Sequence, residues 1–459
     1  MRESARDVER AGRAVLAFAR MTRTSWKLVL LLGALTLLGV GCVRPAGPRS
    51  RAPLAVWGVF DDADTMQPLL RGYENEQRGA RVEYKKVSPV DSYEQQLLRS
   101  LAENRGPDVF LIHTSWIPRW QGALLPAPAD VMPARAVQEE FVDTVAKDLV
   151  VGDRVLALPL FVDTLALYYN KDLLNSAGVA RPPKTWQEVH EVVKRVTTFN
   201  EEEPGQIDRH GIALGAGKNV NRAPDVLSLL MIQNGAKMVD ENGLPAFGSD
   251  ESALQALTFY TDFANSSKDI YTWNLRSDYS LDAFAEGEAA MMVNYAYHRP
   301  TIQAKNPRLN FGIAPLPQVE IGNPDNPPKT YAGYWAYAVS RQTLVPDEAW
   351  AFVRSITRTE PSRQYLAASG YPPARRDLVA ALQNDSRIGV FAKQALIATT
   401  WRQPDNRVVD RVFTEAIDAV VSGQDTVEGS LRRAAEQITA AATALQGGAA
   451  RTGLDGGAL

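Results

Sequence analysis

Two runs of strand length, Val155–Leu160 and Thr164–Tyr169, are apolar and aromatic and stand either side of a single carboxylate, Asp163. An unpaired buried carboxylate is very costly, so Asp163 belongs either in solvent, where the chain passes between two packed bodies, or against a ligand. Helix punctuation follows: Lys171–Ala177 is a short turn closed by Gly178, and Pro182-Pro183 halt the chain. Thr185 and Glu188 then have capping-box spacing ahead of an apolar stripe of Trp186, Val189, Val193 and Val196. At 459 residues the chain exceeds the size at which one core stops growing, so two lobes are expected.

Upstream, strand candidates alternate with helix candidates. Leu54–Phe60 leads through Asp61, Asp62 and Asp64 into a helix with Met66, Leu69, Leu70 and Tyr73 on one face. Val82–Val87 precedes a helix over Tyr93–Asn104, and the apolar Val109–Ile112 opens into His113-Thr114-Ser115-Trp116. This alternation predicts an α/β fold with mostly parallel sheets flanked by helices, in which ligands sit outside the carboxyl ends of the strands. Downstream, Tyr331–Ser340 reads as a returning strand. Crossings between lobes are expected near Leu160–Asp163, Pro315–Gln318 and Tyr371–Arg375, and the closely spaced prolines of the last two restrict φ and should confine bending to neighbouring residues. No fixed-period repeat is visible, so the lobes need not be internal copies.

The formal net charge is −3, and without residues 1–41, which carry +4, it becomes −7. A mildly acidic body argues against nucleic acid as a partner. Cys42 is the only cysteine, which leaves no disulfide framework and no cysteine metal cluster. It follows an apolar run, Leu28–Val40, that Arg20, Arg23 and Lys27 precede; the run is short for a membrane span and right for a signal-peptide core. Gly39-Val40-Gly41-Cys42 resembles a bacterial lipoprotein lipobox, although the leucine, Leu38, stands four residues before the cysteine rather than three. That resemblance implies a signal peptide over 1–41, lipidation of Cys42, and extracytoplasmic localisation on the bacterial cell membrane. The alternative is an uncleaved single-span anchor.

Enzyme signatures fail one by one. His190-Glu191 is followed by Lys194 where a zinc protease needs a second histidine. Gly215–Lys218 is followed by Asn219 where a phosphate-binding loop needs Ser or Thr. The Asp61/Asp62/Asp64 group lacks the glycine and distal glutamate of a calcium loop, and a turn that caps the next helix accounts for it as well. No metal and no cofactor are expected. What remains is aromatic: Trp57, Trp116, Trp273, Tyr295, Tyr297, Tyr334, Trp335 and Trp401 could offer flat faces to a sugar ring. Core packing is the competing reading for each, and the stronger one for Trp57 in mid-strand.

The ordered segment Leu158-Pro159…Asp163…Tyr168-Tyr-Asn-Lys-Asp-Leu173…Ala177-Gly178…Pro182-Pro-Lys-Thr-Trp186 resembles the extracellular solute-binding proteins of ABC importers, in particular the sugar-binding family that includes maltodextrin-binding proteins. The resemblance implies a two-lobe periplasmic-binding-protein fold with hinge crossings. It implies a first lobe of residues 54–160 and 318–372, a second of 161–317 and 373–446, a tether over 42–53 and a disordered tail over 447–459. Carried over position by position, it places Asp61, Asp62, Thr114, Ser115, Trp116, Asp163, Asn294, Tyr295, Tyr297, Gly333, Tyr334 and Trp335 at the ligand. Tyr295-Ala-Tyr297 stands where the family commonly has Gly-Pro-Trp. The implied function is a monomeric receptor that binds a sugar or oligosaccharide and delivers it to ABC permease subunits. Two other readings compete: a glycoside-processing enzyme using two of Asp61, Asp62 and Asp163, and the same fold binding polyols, glycerol phosphates or metal chelates.

Overall fold

The computed structural model describes residues 52–451 apart from Pro204, with side chains through Leu445. The expected signal peptide, Cys42 and most of the expected tether lie outside the described residues. The chain opens with β1 (Leu54–Gly58), α1 (Ala63–Glu76), β2 (Val82–Lys86), α2 (Val90–Ala102) and β3 (Val109–His113). Alternation fixes β1, whose Leu54, Val56 and Gly58 point into the core. Helical spacing fixes α1, which buries Met66, Leu69, Leu70 and Tyr73. β3 is buried from Val109 to Ile112, as a strand covered on both faces must be. β4 (Ala157–Leu158) completes this part of the chain.

Next come β5 (Ala166–Asn170), α3 (Trp186–Val196), α4 (Ala223–Gln233), β6 (Met291–Asn294), α5 (Arg299–Lys305) and β7 (Phe311–Ala314). The cap of α3 is as the sequence indicates: Thr185 Oγ1 accepts from Glu188 N at 3.1 Å. Glu188 reaches back to Lys184 N at 2.7 Å. The chain then returns through β8 (Trp335–Val339), α6 (Pro346–Ile356), α7 (Thr359–Ser369) and α8 (Arg376–Leu382). It ends with α9 (Gly389–Ala395), α10 (Asn406–Val421) and α11 (Val427–Arg451). The backbone of α11 thus continues past Gly447, where a tail was expected to begin.

The first sheet has the order β2-β1-β3-β8-β4 and the second β6-β5-β7. Within these two sheets only β1–β2 and β1–β3 pair in parallel; β8 runs antiparallel to β3 and β4, and β6 and β7 run antiparallel to β5. The strands are therefore mixed rather than mostly parallel, because β8 enters the first sheet from the other lobe instead of through a helical crossover.

Two separate hydrophobic cores define two lobes. One takes Leu54–Val162, Ala332–Val379 and Ala395, and the other takes Leu165–Leu316, Tyr331, Phe391 and Trp401–Ile438. The chain passes between them at three neighbouring extended segments. Thr164 bridges Ala332, Leu165 N donates to Tyr331 O at 2.9 Å, and Ala332 N donates to Thr399 O at 3.0 Å. The proline pairs lie elsewhere. Leu316 is in the second core, while Ala374 and Leu378 are in the first, so neither Pro315–Gln318 nor Tyr371–Arg375 is a crossing. Crossing segments that pair with one another need backbone donors, which proline lacks.

Candidate functional site

β3 ends and β8 begins at the same edge of the first sheet, with Trp335 opposite His113. That register gathers an aromatic wall. Trp335 meets Trp116 at 4.9 Å, Phe60 at 5.2 Å and His113 at 5.3 Å between ring centroids, all edge-to-face. Trp116 is held from behind by Tyr93 and Trp120. His113 Nδ1 lies 2.7 Å from Ser115 Oγ. Burial pushes its pKa down to about 3, with the Arg222 charge acting in the same direction, so the ring is neutral.

The second lobe supplies the facing wall just after β6. Tyr295 and Tyr297 stack at 5.8 Å with planes 16° apart. Arg222 donates to Tyr297 Oη from Nε at 2.9 Å and Nη2 at 2.7 Å, and its guanidinium lies 5.7 and 5.8 Å from the two ring centroids. Its φ of 62° puts a non-glycine residue in the left-handed region at the start of α4. Such strain costs on the order of 1–2 kcal/mol and collects at functional sites. Tyr295 Oη donates to Asp225 Oδ2 at 3.0 Å.

Between these walls lies a cavity of about 740 Å³. Phe161 and Tyr371, stacked at 4.4 Å, close one side, and Trp401, Gln403 and Asp410 line another. Asp410 and Arg222 are open to water from the cleft, yet protein surrounds both. Burial and the nearby Asp225 carboxylate push the pKa of Asp410 up to about 7, and burial raises that of Asp225 as well.

Of the twelve positions expected at a ligand, Thr114, Ser115, Trp116, Tyr295, Tyr297, Gly333 and Trp335 line this cavity. Gly333 is glycine for a steric reason, since a Cβ there would stand 2.9 Å from Tyr295 Oη. The other five do not line it. Asp61 is buried and accepts from Tyr365 Oη at 2.9 Å. Asp62 is exposed, pairs with Lys86 at 2.9 Å, and makes no side-chain cap bond to α1 despite its position. Asn294 folds its Oδ1 onto Tyr295 N at 3.0 Å. Tyr334 precedes Trp335 in an extended chain and therefore points the other way, to Asp148 Oδ2 at 2.9 Å.

Asp163 is the largest correction. It is 1% exposed, and its Oδ1 accepts from Thr164 N at 2.8 Å and Ala296 N at 2.9 Å. Its Oδ2 accepts from Tyr297 N at 3.1 Å. The carboxylate thus caps the helical turn Ala296–His298 and holds the tyrosine wall. Of the remaining aromatic candidates, Trp57 carries Lys85 over its ring and Trp273 is fully buried beside His210. Arg222, Asp225, Asp410 and Tyr371 carried no local pattern that marks them. They sit in loops, at helix starts or within a helix, and only the tertiary fold brings them together.

Among the described residues no group of three or more His, Cys, Asp or Glu could hold a metal ion, and no helix is long and apolar enough to cross a membrane. Two α/β lobes with an aromatic-walled, polar-edged cleft between them define a class of bilobal solute binders. The chain belongs to the bacterial extracellular solute-binding protein family, whose model matches residues 58–361. It is 26% identical over 306 residues to a maltotriose-binding protein of Pyrococcus abyssi, covering 65% of this chain and 62% of that one. It is 25% identical over 366 residues to a protein of Deinococcus radiodurans described as a probable ABC transporter-binding protein, covering 74% and 82%. Its fold is shared with a cyclo/maltodextrin-binding protein complexed with maltotetraose, at a TM-score of 0.69, 21% identity and coverage of 85% and 97%. It is also shared with an ABC transporter solute-binding protein of Thermotoga lettingae bound with α-D-tagatose, at 0.67, 22%, and 85% and 99%.

Proposed function

We propose that this protein is a receptor that takes a sugar or oligosaccharide into the interlobe cleft and delivers it to an ABC import permease. One observation carries the reading: Trp116 and Trp335 on one lobe and Tyr295 and Tyr297 on the other flank a single cavity of about 740 Å³. Aromatic faces suit the CH-bearing faces of sugar rings, while Arg222, Asp225, Ser115 and Gln403 offer donors and acceptors to hydroxyls. The maltotriose-binding relative supports the ligand class, and the transporter-binding relative supports the partner. The test is thermal unfolding against a panel of malto-, manno- and cello-oligosaccharides, since a ligand of the native state alone raises the midpoint. At least one member is expected to raise it and to be recovered intact. A panel without effect would overturn the reading.

A receptor is favoured over a glycoside-processing enzyme by the placement of Asp61, Asp62 and Asp163. Each is committed to a separate protein partner, and none faces the cavity. The first lobe is assigned to 54–162 and 332–379, and the second to 165–331 and 401–438, with α9 between them giving Phe391 to the second core and Ala395 to the first. The protein acts as a monomer held outside the cytoplasm by lipid on Cys42. One acyl chain alone binds membranes only marginally, so stable anchoring needs more than one. Cys42→Ser is expected to move the protein from the membrane to the soluble fraction.

A further inference from the structure

Arg119 lies on the helical turn Ile117–Trp120 of the first lobe, and its side chain is 7% exposed. Its Nη1 donates to Glu94 Oε1 at 2.7 Å, an acceptor on α2 of the same lobe that also receives Trp120 Nε1 at 3.0 Å. Its other edge reaches across to the second lobe, where Nη2 donates to Asn406 Oδ1 at 3.0 Å and Nε lies 3.4 Å from Asp405 Oδ1. Asp405 is itself fixed: it caps α10 by accepting from Arg407 N at 3.0 Å and pairs with Arg407 Nη2 at 2.7 Å. Arg119 does not line the cavity, but Glu94 and Asn406 do, one from each lobe.

We propose that Arg119 is an interlobe positioning residue, which sets the closed separation of the two cavity walls and thereby the affinity for solute without touching it. Its effect on affinity rests on the solute being held between the lobes, as proposed above; its effect on lobe separation does not. A planar guanidinium can serve acceptors on two lobes at once and in fixed directions, which a lysine ammonium cannot. A buried charge cluster fixes geometry more than it adds net stability, because the attraction gained on closing is offset by desolvation. Opening returns Arg119, Glu94 and Asp405 to water, so the contact biases the two states without locking either.

The experiment compares wild type with Arg119→Gln, Arg119→Lys and Asn406→Ala, measuring the radius of gyration without added solute and the affinity for maltotetraose. Arg119→Gln and Asn406→Ala are expected to enlarge the solute-free particle, Arg119→Lys to fall between, and the Arg119→Gln, Asn406→Ala double variant to match the singles. Maltotetraose binding should weaken about tenfold in Arg119→Gln, equivalent to about 1.4 kcal/mol. An unchanged radius in both Arg119→Gln and Asn406→Ala would overturn the proposal, as would an enlarged radius with unchanged affinity. Should wild type ignore maltotetraose, the fault lies with that ligand assignment, and the solute-free radius still decides the role of Arg119. Asn406→Ala removes no charge, so it remains informative if Arg119→Gln fails to fold.

Discussion

Asp163 commits both carboxylate oxygens to backbone amides, so its loss should act on the fold before it acts on the ligand. Asp163→Ala orphans three buried N–H groups, each worth about 1–3 kcal/mol. A marked fall in melting temperature is expected, with solute binding lost alongside because the tyrosine turn loosens; calorimetry with and without solute checks both. The two cleft tryptophans should separate. Trp335 is half-buried, and Trp335→Ala is expected to weaken solute binding by about 1.5–3 kcal/mol with little loss of stability. Trp116 is also a core residue, and Trp116→Ala should cost about 3–5 kcal/mol of stability in addition. Asp410 gives a pH test. Its folded pKa is raised to about 7 from an ordinary 3.8, so the folded state holds its proton to higher pH than the unfolded chain does. Its contribution favours folding below pH 3.8 and is lost as pH rises through about 7. Asp410→Asn should therefore gain melting temperature over wild type as pH climbs from 4 to 7 and hold that gain above.

At the scale of elements, α9 lies under the crossings. Gln394 is buried, accepts from Leu316 N at 2.8 Å and donates to Leu165 O at 3.1 Å, joining two segments next to the hinge. Gln394→Leu keeps the bulk and leaves Leu316 N unpaired, while Leu165 O keeps Thr330 Oγ1 at 2.8 Å, so a loss of about 1–3 kcal/mol is expected in denaturant unfolding. β1, α1, β3 and α3 were legible in the sequence because their signals are local: alternation, a four-residue stripe, an unbroken apolar run and a capping pair. Of the crossings, the first, expected at Leu160–Asp163, falls where the cores change between Val162 and Leu165; the other two were not legible, because proline marks where a chain turns and carries no information on which core follows. The site divides the same way. Trp116, Trp335, Tyr295 and Tyr297 sit at strand ends that can be read from sequence, whereas Arg222 and Asp410 come from a loop and from within a helix, and only packing makes them neighbours.

For the whole molecule, three paired crossings restrict the lobes to rotation about one narrow strip. A solute touching both walls favours the closed state by its differential affinity, and a smaller radius of gyration at saturation is expected from scattering. An unchanged radius at proven saturation would mean either a receptor already closed without solute or a solute held by one lobe alone.

The position of β8 also governs the order in which the molecule can be made. It is inserted between β3 and β4, pairing Val339 with Val109 and Tyr337 with Leu158, although the intervening chain builds the body of the other lobe. A nascent polypeptide that has not yet reached Val339 therefore carries β3 without its native partner on that edge. Such distant pairing slows folding, and it exposes partly made chains to aggregation until the last strand arrives. A version ending at Lys329 should accordingly collect in inclusion bodies, whereas one ending just after the final helix should refold.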